Sequence, residues 1–353
     1  MAAVVTEVDA GLDALSVKIS WTAPSANDDP ITEYEILIRQ QGGAEYSATA
    51  ACDGASAGVL AARYCLVSLS VLTEAAGYGL VFGDLVVARA RARNSIGWGQ
   101  YSQPNAAGAT IQTGPAGMAS PTRGATTLTT VRVDWLPLTG AETRGAAIDS
   151  YELSYGAAID GTSWAPLQGQ AGAPSTALTF TLAGATPGEW YRFRVRAHNA
   201  QGWGPYSATM AAQAADVPGE PAAVSTALAD ASVRVTWVAP ASNFKTITTY
   251  TVEIQNAAGT LYLADTTHCD GTSAEVVASL YCDIPVSVLR APPYNLLIQY
   301  LVIAHVRATN ERGAGPYSPA NAAGALIETE PAAMASPSRG PGTGTTSIEL
   351  QWG

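Results

Sequence analysis

Four cysteines carry the most reactive side-chain chemistry in the chain, and they fall into two matched pairs. Cys52 and Cys65 stand thirteen residues apart, and so do Cys269 and Cys282. Both pairs have the same frame, Cys-Asp-Gly leading to Tyr-Cys (Cys52-Asp53-Gly54 to Tyr64-Cys65, Cys269-Asp270-Gly271 to Tyr281-Cys282). Thiols so placed can form one disulfide per copy, remain four buried free thiols, or bind zinc. Zinc needs four converging ligands, and each copy adds at most His268 or His305 to its two cysteines. The leading expectation is therefore two bonds, Cys52–Cys65 and Cys269–Cys282. Closing a loop of that size stabilises by roughly 3 kcal/mol in the chain-entropy account. Such bonds form in oxidising compartments, so the expected localisation is extracellular or at the cell surface.

The second set is basic and aromatic. Arg89, Arg91 and Arg93 occupy every other position of one segment, and Arg192, Arg194 and Arg196 repeat the pattern. At period 2 each trio lines one face of a strand. Trp98 and Trp203 follow, each between glycines. Two readings stand side by side. These residues form an interaction surface for acidic glycans or a neighbouring subunit, or the arginines pair with Glu33, Glu35 and Glu152 on an adjacent strand, each pair worth little. The tryptophans likewise either stack on their own arginines or anchor a contact.

No nucleophile elbow, phosphate loop or zinc-protease helix occurs. No catalytic residue, cofactor site or metal site is expected; Asp28-Asp29 offers two carboxylates in a turn, fewer oxygens than calcium takes. The net charge of −11 argues against nucleic acid as a partner. Of 353 residues, 47% are hydrophobic and only 13% charged, enough to build cores. No apolar run reaches the length of a membrane-spanning helix, so no membrane insertion is expected within this segment. The amino-terminal residues lack the basic start and apolar stretch of a secretory leader.

The elements that position these groups repeat. Val17-Lys18-Ile19-Ser20-Trp21, Val131-Arg132-Val133-Asp134-Trp135, Val233-Arg234-Val235-Thr236-Trp237 and Ile348-Glu349-Leu350-Gln351-Trp352 each alternate apolar and polar residues, the mark of a half-buried strand. The tryptophans are separated by 114, 102 and 115 residues, so long and short modules alternate and a pair recurs after 216 or 217. A second anchor keeps that register: Asn94-Ser95-Ile96-Gly97-Trp98-Gly99-Gln100-Tyr101-Ser102, Asn199 to Ser207, and Asn310 to Ser318. Asn and Gly between strand-like runs predict a hairpin. Tyr34, Ile36 and Ile38 form one apolar strand face, as do Tyr151/Leu153/Tyr155 and Tyr250/Val252/Ile254. Short alternating strands without a helical period predict an all-β sandwich in each module.

These residues resemble a known family. Trp-x-x-Pro (Trp21 to Pro24, Trp237 to Pro240), the run from Leu182 to Val195 with Thr186-Pro187-Gly188-Glu189-Trp190-Tyr191, and the Asn-x-x-Gly-x-Gly-Pro-Tyr-Ser close resemble the fibronectin type III domain. The resemblance covers nearly the whole chain and is fullest in the middle module. It implies tandem fibronectin type III-like β-sandwiches in a linear array: a long module at 1–112, a short one at 113–216, a long one at 217–330, and the first strands of a fourth at 331–353. It also implies that Tyr191 is the tyrosine corner, which ties a strand to the preceding loop. Val86 and Val302 stand there in the long modules, so the disulfide is expected to supply the lock. The alternating array is similar to the repeat regions of very large protist surface proteins.

The function expected from this is structural: a repeat segment of an extracellular fibre, filament or surface coat, its partner further copies of itself. The alternative is an adhesive or receptor-like ectodomain binding a protein or glycan. No Asn-x-Ser/Thr sequon occurs, but the Thr/Ser/Pro-rich stretches 120–130 and 336–347 are candidate carriers of O-linked glycans. The fourth module, with two strands at most, leads to the expectation that the polypeptide continues.

Overall fold

Alternation decides where the strands lie and which way each side chain points. In the strand Glu33–Arg39, Tyr34, Ile36 and Ile38 are buried, and their neighbours are half-exposed. The computed structural model describes residues 1–9, 16–43, 45–157, 162–329, 336, 338, 339, 341, 350 and 351. It divides into two compact units, Met1–Ala125 with Val131–Ala183 and Glu189–Gln213, and Thr126–Thr130 with Gly184–Gly188 and Ala214–Gly353.

The first unit opens with a sandwich of two antiparallel sheets. One has the order Val5–Asp9, Ser16–Ser20, Tyr64–Ser68; the other Tyr46–Ser47, Glu33–Arg39, Ala88–Arg93. Val17, Ile19 and Val67 from the first sheet share one core with Ile36, Ile38, Ala88 and Ala90 from the second. Trp21 closes this core at the end of its strand, edge-on to Tyr34 with ring centroids 5.3 Å apart.

A second sandwich follows. Thr179–Ala183, Thr130–Asp134 and Thr122–Thr126 form one sheet, and Ala165–Gln168, Ile148–Ala157, Trp190–Asn199 and Gly202–Trp203 the other, with Met210–Gln213 also on Trp190–Asn199. Phe193, Val195 and Leu153 are fully buried there, and Tyr191 is also buried.

The second unit repeats the architecture of the first sandwich. Ser225–Ala229, Ser232–Thr236 and Tyr281–Pro285 face Tyr262–Ala264, Thr249–Gln255, Ala304–Asn310 and Gly313–Ala314 around a core that includes Val235, Ile254, Ile284 and Val306. The fold is all-β, as the alternation predicts. Of the fourth module, Ser338–Arg339 and Leu350–Gln351 pair antiparallel; Trp352 and most of 331–353 lie outside the described residues.

The extra length of the long sandwiches contains short helices that a period-2 reading does not foresee. Ala57–Ala62 starts where the Ser56 hydroxyl accepts from the Val59 amide, and it ends at left-handed Arg63. Ala274–Ser279 is built the same way between Ser273 and Leu280. At six residues each, with their hydroxyl caps, they are too short for a 3.6-residue period to show. Leu69–Thr73 and Val286–Arg290 follow the next strands and bury Leu72 and Leu289 in the cores.

Cys52 is bonded to Cys65 and Cys269 to Cys282, with 5.2 Å between Cα atoms in both cases. Cys65 lies in a strand opposite Ile19, whereas Cys52 closes the turn Ala50–Cys52 that leaves the other sheet. The bond therefore staples the helical excursion to the sheet across the core. The glycine of the Cys-Asp-Gly frame has its own reason: Gly54 and Gly271 press against the Tyr34 and Tyr250 carbonyls, where a Cβ would collide.

Candidate functional site

On the outer face of each second sheet, cations and aromatic rings stack alternately. In the first sandwich the Arg89 guanidinium lies between Tyr46 and Tyr101, at 4.2 and 4.3 Å from their centroids. Arg91 lies between Tyr101 and Trp98, at 4.4 and 4.6 Å, and Arg93 is 5.6 Å from Trp98. In the second sandwich Arg192 and Arg194 are 4.9 and 4.1 Å from Trp164. Arg194 and Arg196 flank Tyr206 at 3.8 and 4.4 Å, and Arg196 is 4.5 Å from Trp203, which tilts against His198. In the third, Tyr262, His305 and Tyr317 stack at 4.0 and 4.1 Å, and Arg307 is 4.6 Å from Tyr317.

Strand geometry builds these ladders. Alternate residues of one strand project from the same face, and the hairpin that follows folds its tyrosine back between them. In each Tyr-Ser pair the tyrosine enters the ladder outside. The serine turns inward and accepts a main-chain amide: Ser102 from Ala90, Ser207 from Val195, Ser318 from Val306, all at 3.1 Å. One dipeptide thus fixes both faces of the strand.

A carboxylate anchors each ladder from the adjacent strand. Glu35, opposite Arg91, accepts from Arg91 and from the Tyr101 hydroxyl. Glu152, opposite Arg196, accepts from the Tyr206 hydroxyl at 2.6 Å, Arg196 at 2.7 Å and Ser154 at 3.0 Å. In the third sandwich the carboxylate has moved two residues along: Glu253, opposite His305, accepts from Tyr317 at 2.7 Å and contacts His305 at 2.8 Å. Burial pushes the Glu35 and Glu152 carboxyls up, but the hydrogen bonds from tyrosine and arginine outweigh it, so both titrate below the ordinary glutamate value. Burial, then the bond to Glu253, pushes the Tyr317 hydroxyl up to about 12.

The structure places all six arginines and both tryptophans, Trp98 and Trp203, in the ladders. Arg91, Arg93 and Arg196 also bond to Glu35, Glu33 and Glu152. The Nε atoms of Arg89 and Arg194 are buried and have no hydrogen-bond partner among the described residues. What the sequence reading missed is the other half of each ladder: Tyr46, Trp164 and Tyr262, which arrive from a separate segment, and His305, which takes the place of Arg89 and Arg194. The repeated Tyr-Ser pair was the available signal for Tyr101, Tyr206 and Tyr317.

Other candidates resolve locally. An Asp29 oxygen accepts from the amide and hydroxyl of Ser95, both at 2.8 Å. Among the described residues no group of three His, Cys, Asp or Glu could hold a metal ion, and no helix is long and apolar enough to cross a membrane. Where Tyr191 stands in the second sandwich, the long ones have the fully buried Val86 and Val302. They carry another tyrosine instead: the Tyr78 hydroxyl donates to the Ser47 carbonyl at 3.3 Å and that of Tyr294 to Leu263 at 3.4 Å.

Residues 120–213 match the family model of the fibronectin type III domain. Among solved structures, the chain is similar to the crystal structure of chicken CNTN1 FN1-FN3 domains, with 18% identity and a TM-score of 0.38, over 91% of this chain and 97% of that one. No curated protein matches.

Proposed function

We propose that this chain is a structural repeat segment of an extracellular fibre, filament or cell-surface coat, non-catalytic and working through the packing of module on module. The modules span 1–112, 113–216 and 217–330, with a fourth from 331. One observation carries the reading: a hairpin asparagine holds the linker that precedes its sandwich. Asn199 donates to the Thr113 carbonyl at 2.9 Å and to Thr143 at 3.0 Å. Asn310 donates to Asp216 at 2.9 Å and to Ser242 at 3.1 Å. Each linker is thereby pinned to the sandwich that follows it. The two disulfides support an oxidising, extracellular setting. The ladders support a structural role, since their cations are engaged with their own sheet. Exposed Thr122, Thr127 and Thr129 are candidate sites for O-linked glycans.

A second reading, an adhesive ectodomain, draws on the outer rungs. Trp98 and Trp203 are half-exposed, and the Arg93 side chain is 50% exposed. Sedimentation and electron microscopy of the purified chain over a concentration series separate the two. Concentration-dependent assembly supports the fibre. A chain that stays monomeric and binds a foreign protein or glycan in a way abolished by Trp98→Ala and Trp203→Ala supports adhesion.

A further inference from the structure

The clamp on the linker is built at the amino-terminal tip of all three sandwiches, and two of the three show what it holds. In the second sandwich the Thr113 amide also donates to Arg144 at 3.1 Å, and Gln201 at the hairpin tip reaches Gln112 at 3.1 Å. In the third, the Asp216 amide donates to Asn243 at 3.2 Å, and the Arg312 side chain at the tip is only 8% exposed.

The first sandwich has the same groups around an open cavity of 480 Å³ lined by Met1, Pro24, Asn27, Asn94, Ile96 and Trp98. Asn94 turns its hairpin as Asn199 and Asn310 do, accepting from the Ile96 amide at 3.2 Å, and its amide reaches the Ala26 carbonyl at 3.4 Å. Ile96, the counterpart of Gln201 and Arg312, is 87% exposed.

Glycine usage gives an independent indication. Gly204 and Gly315 lie against the carbonyls of Pro115 and Pro218, so close that a Cβ would collide with the passing linker. Gly99 holds the same place in the first hairpin. There a Cβ would meet only the Ala92 carbonyl, at an ordinary 3.5 Å. Among the described residues of the first sandwich none comes close enough to require glycine at this position; a linker carbonyl crossing it would.

We propose that this cavity seats an extended linker with the chemistry of residues 214–220, Ala-Ala-Asp-Val-Pro-Gly-Glu, supplied by a second copy of the short module. The linker carbonyl accepts from the Asn94 amide, its own amide donates to the Asn27 carbonyl, and the proline carbonyl crosses Gly99. The choice of a short-module linker follows from the third sandwich, a long one like the first, whose clamp holds this same sequence. The inference rests on the repeat-array reading above and names the surface through which a further module joins.

The test is to place those seven residues directly ahead of Met1 in the full chain, with a shuffled seven-residue extension as control, and to follow amide exchange of the hairpin 94–99. The expected result is slowing by about tenfold or more with the linker sequence alone. Gly99→Ala is expected to abolish that protection while leaving the melting of the unextended chain unchanged. Equal exchange with both extensions overturns the proposal, as does protection that survives Gly99→Ala. Sedimentation of the same proteins keeps the two readings apart. Protection in a chain that never assembles retains the seat and removes the fibre; assembly without protection removes the seat and retains the fibre.

Discussion

The hydroxyl of Tyr206 donates to the carboxylate of Glu152 over 2.6 Å, from the outer end of a hairpin to the middle of the neighbouring strand. That bond and the Arg196 pair hold a carboxylate whose side chain is only 7% exposed, and they keep its carboxyl below the ordinary glutamate value against the upward push of burial.

Glu152 titrates lower in the folded chain than its unfolded value of about 4.3. Its contribution is therefore present above that value and lost as the pH falls through the folded pKa. Glu152→Gln is expected to cost about 1–3 kcal/mol near neutrality, since Arg196 loses its charged partner. Urea unfolding at pH 7 and again near pH 3 checks this. The difference between wild type and variant should shrink at the lower pH.

At the alkaline end the sign reverses. Tyr294 and Tyr317 are each pushed up to about 12, first by burial. Their contribution is present below the unfolded tyrosine value of about 10 and disappears as pH rises through about 12. Ultraviolet titration of the folded chain should show tyrosines that ionise late, and Tyr294→Phe with Tyr317→Phe should remove two of them.

Arg194 is expected to tolerate lysine poorly. Its guanidinium lies between Trp164 and Tyr206, and a planar cation covers two rings where an ammonium cannot. Arg194→Lys should cost about 1 kcal/mol and Arg194→Ala about 1–2 kcal/mol, read by thermal unfolding with tryptophan fluorescence.

Asn105 should be among the costliest single truncations. It is buried, accepts from the Ala88 amide at 2.7 Å, and donates to Thr6, Val86 and Ala107. Asn321 repeats the arrangement with Ala304, Thr226, Val302 and Ala323. Asn105→Ala leaves buried main-chain groups unpaired, at a cost of about 2–3 kcal/mol. Chemical denaturation of the variant, with Asn321→Ala as a parallel case, provides the measurement.

Removing a bridge with Cys52→Ser and Cys65→Ser together should destabilise the first sandwich by roughly 3 kcal/mol and leave Cys269–Cys282 intact. Non-reducing peptide mapping and calorimetry report the two halves of that statement.

How much of this was legible in the sequence depends on how far each contact reaches. Tyr34, Ile36 and Ile38 announce themselves because burial on one face imposes a period of 2 within a single segment. The arginine trios are visible for the same reason. Their partners are not: Tyr46 and Trp164 meet the arginines only through the order of strands in a folded sheet, and no local pattern encodes that meeting. The helix Ala57–Ala62 is too short to show a period and is carried by a serine cap. Asn105 and Asn321 sit in the repeated Asn-Ala-Ala-Gly, but their role depends on Thr6 and Thr226, about a hundred residues earlier.

The ladders also bear on survival among proteases. Six of the chain's 18 lysines and arginines are the trios Arg89, Arg91, Arg93 and Arg192, Arg194, Arg196, so two strands concentrate a third of all trypsin-type cleavage sites. In the folded chain those side chains are stacked and their strands are hydrogen-bonded to Glu33–Arg39 and Ile148–Ala157, beyond the reach of an active site that must wrap around an extended segment. Cutting there requires the sheet to open first. Each trio is thus a tripwire, silent while its sandwich is intact and cleaved at several adjacent bonds once it unfolds. A failing module would be cleared, and its sound neighbours would be left standing.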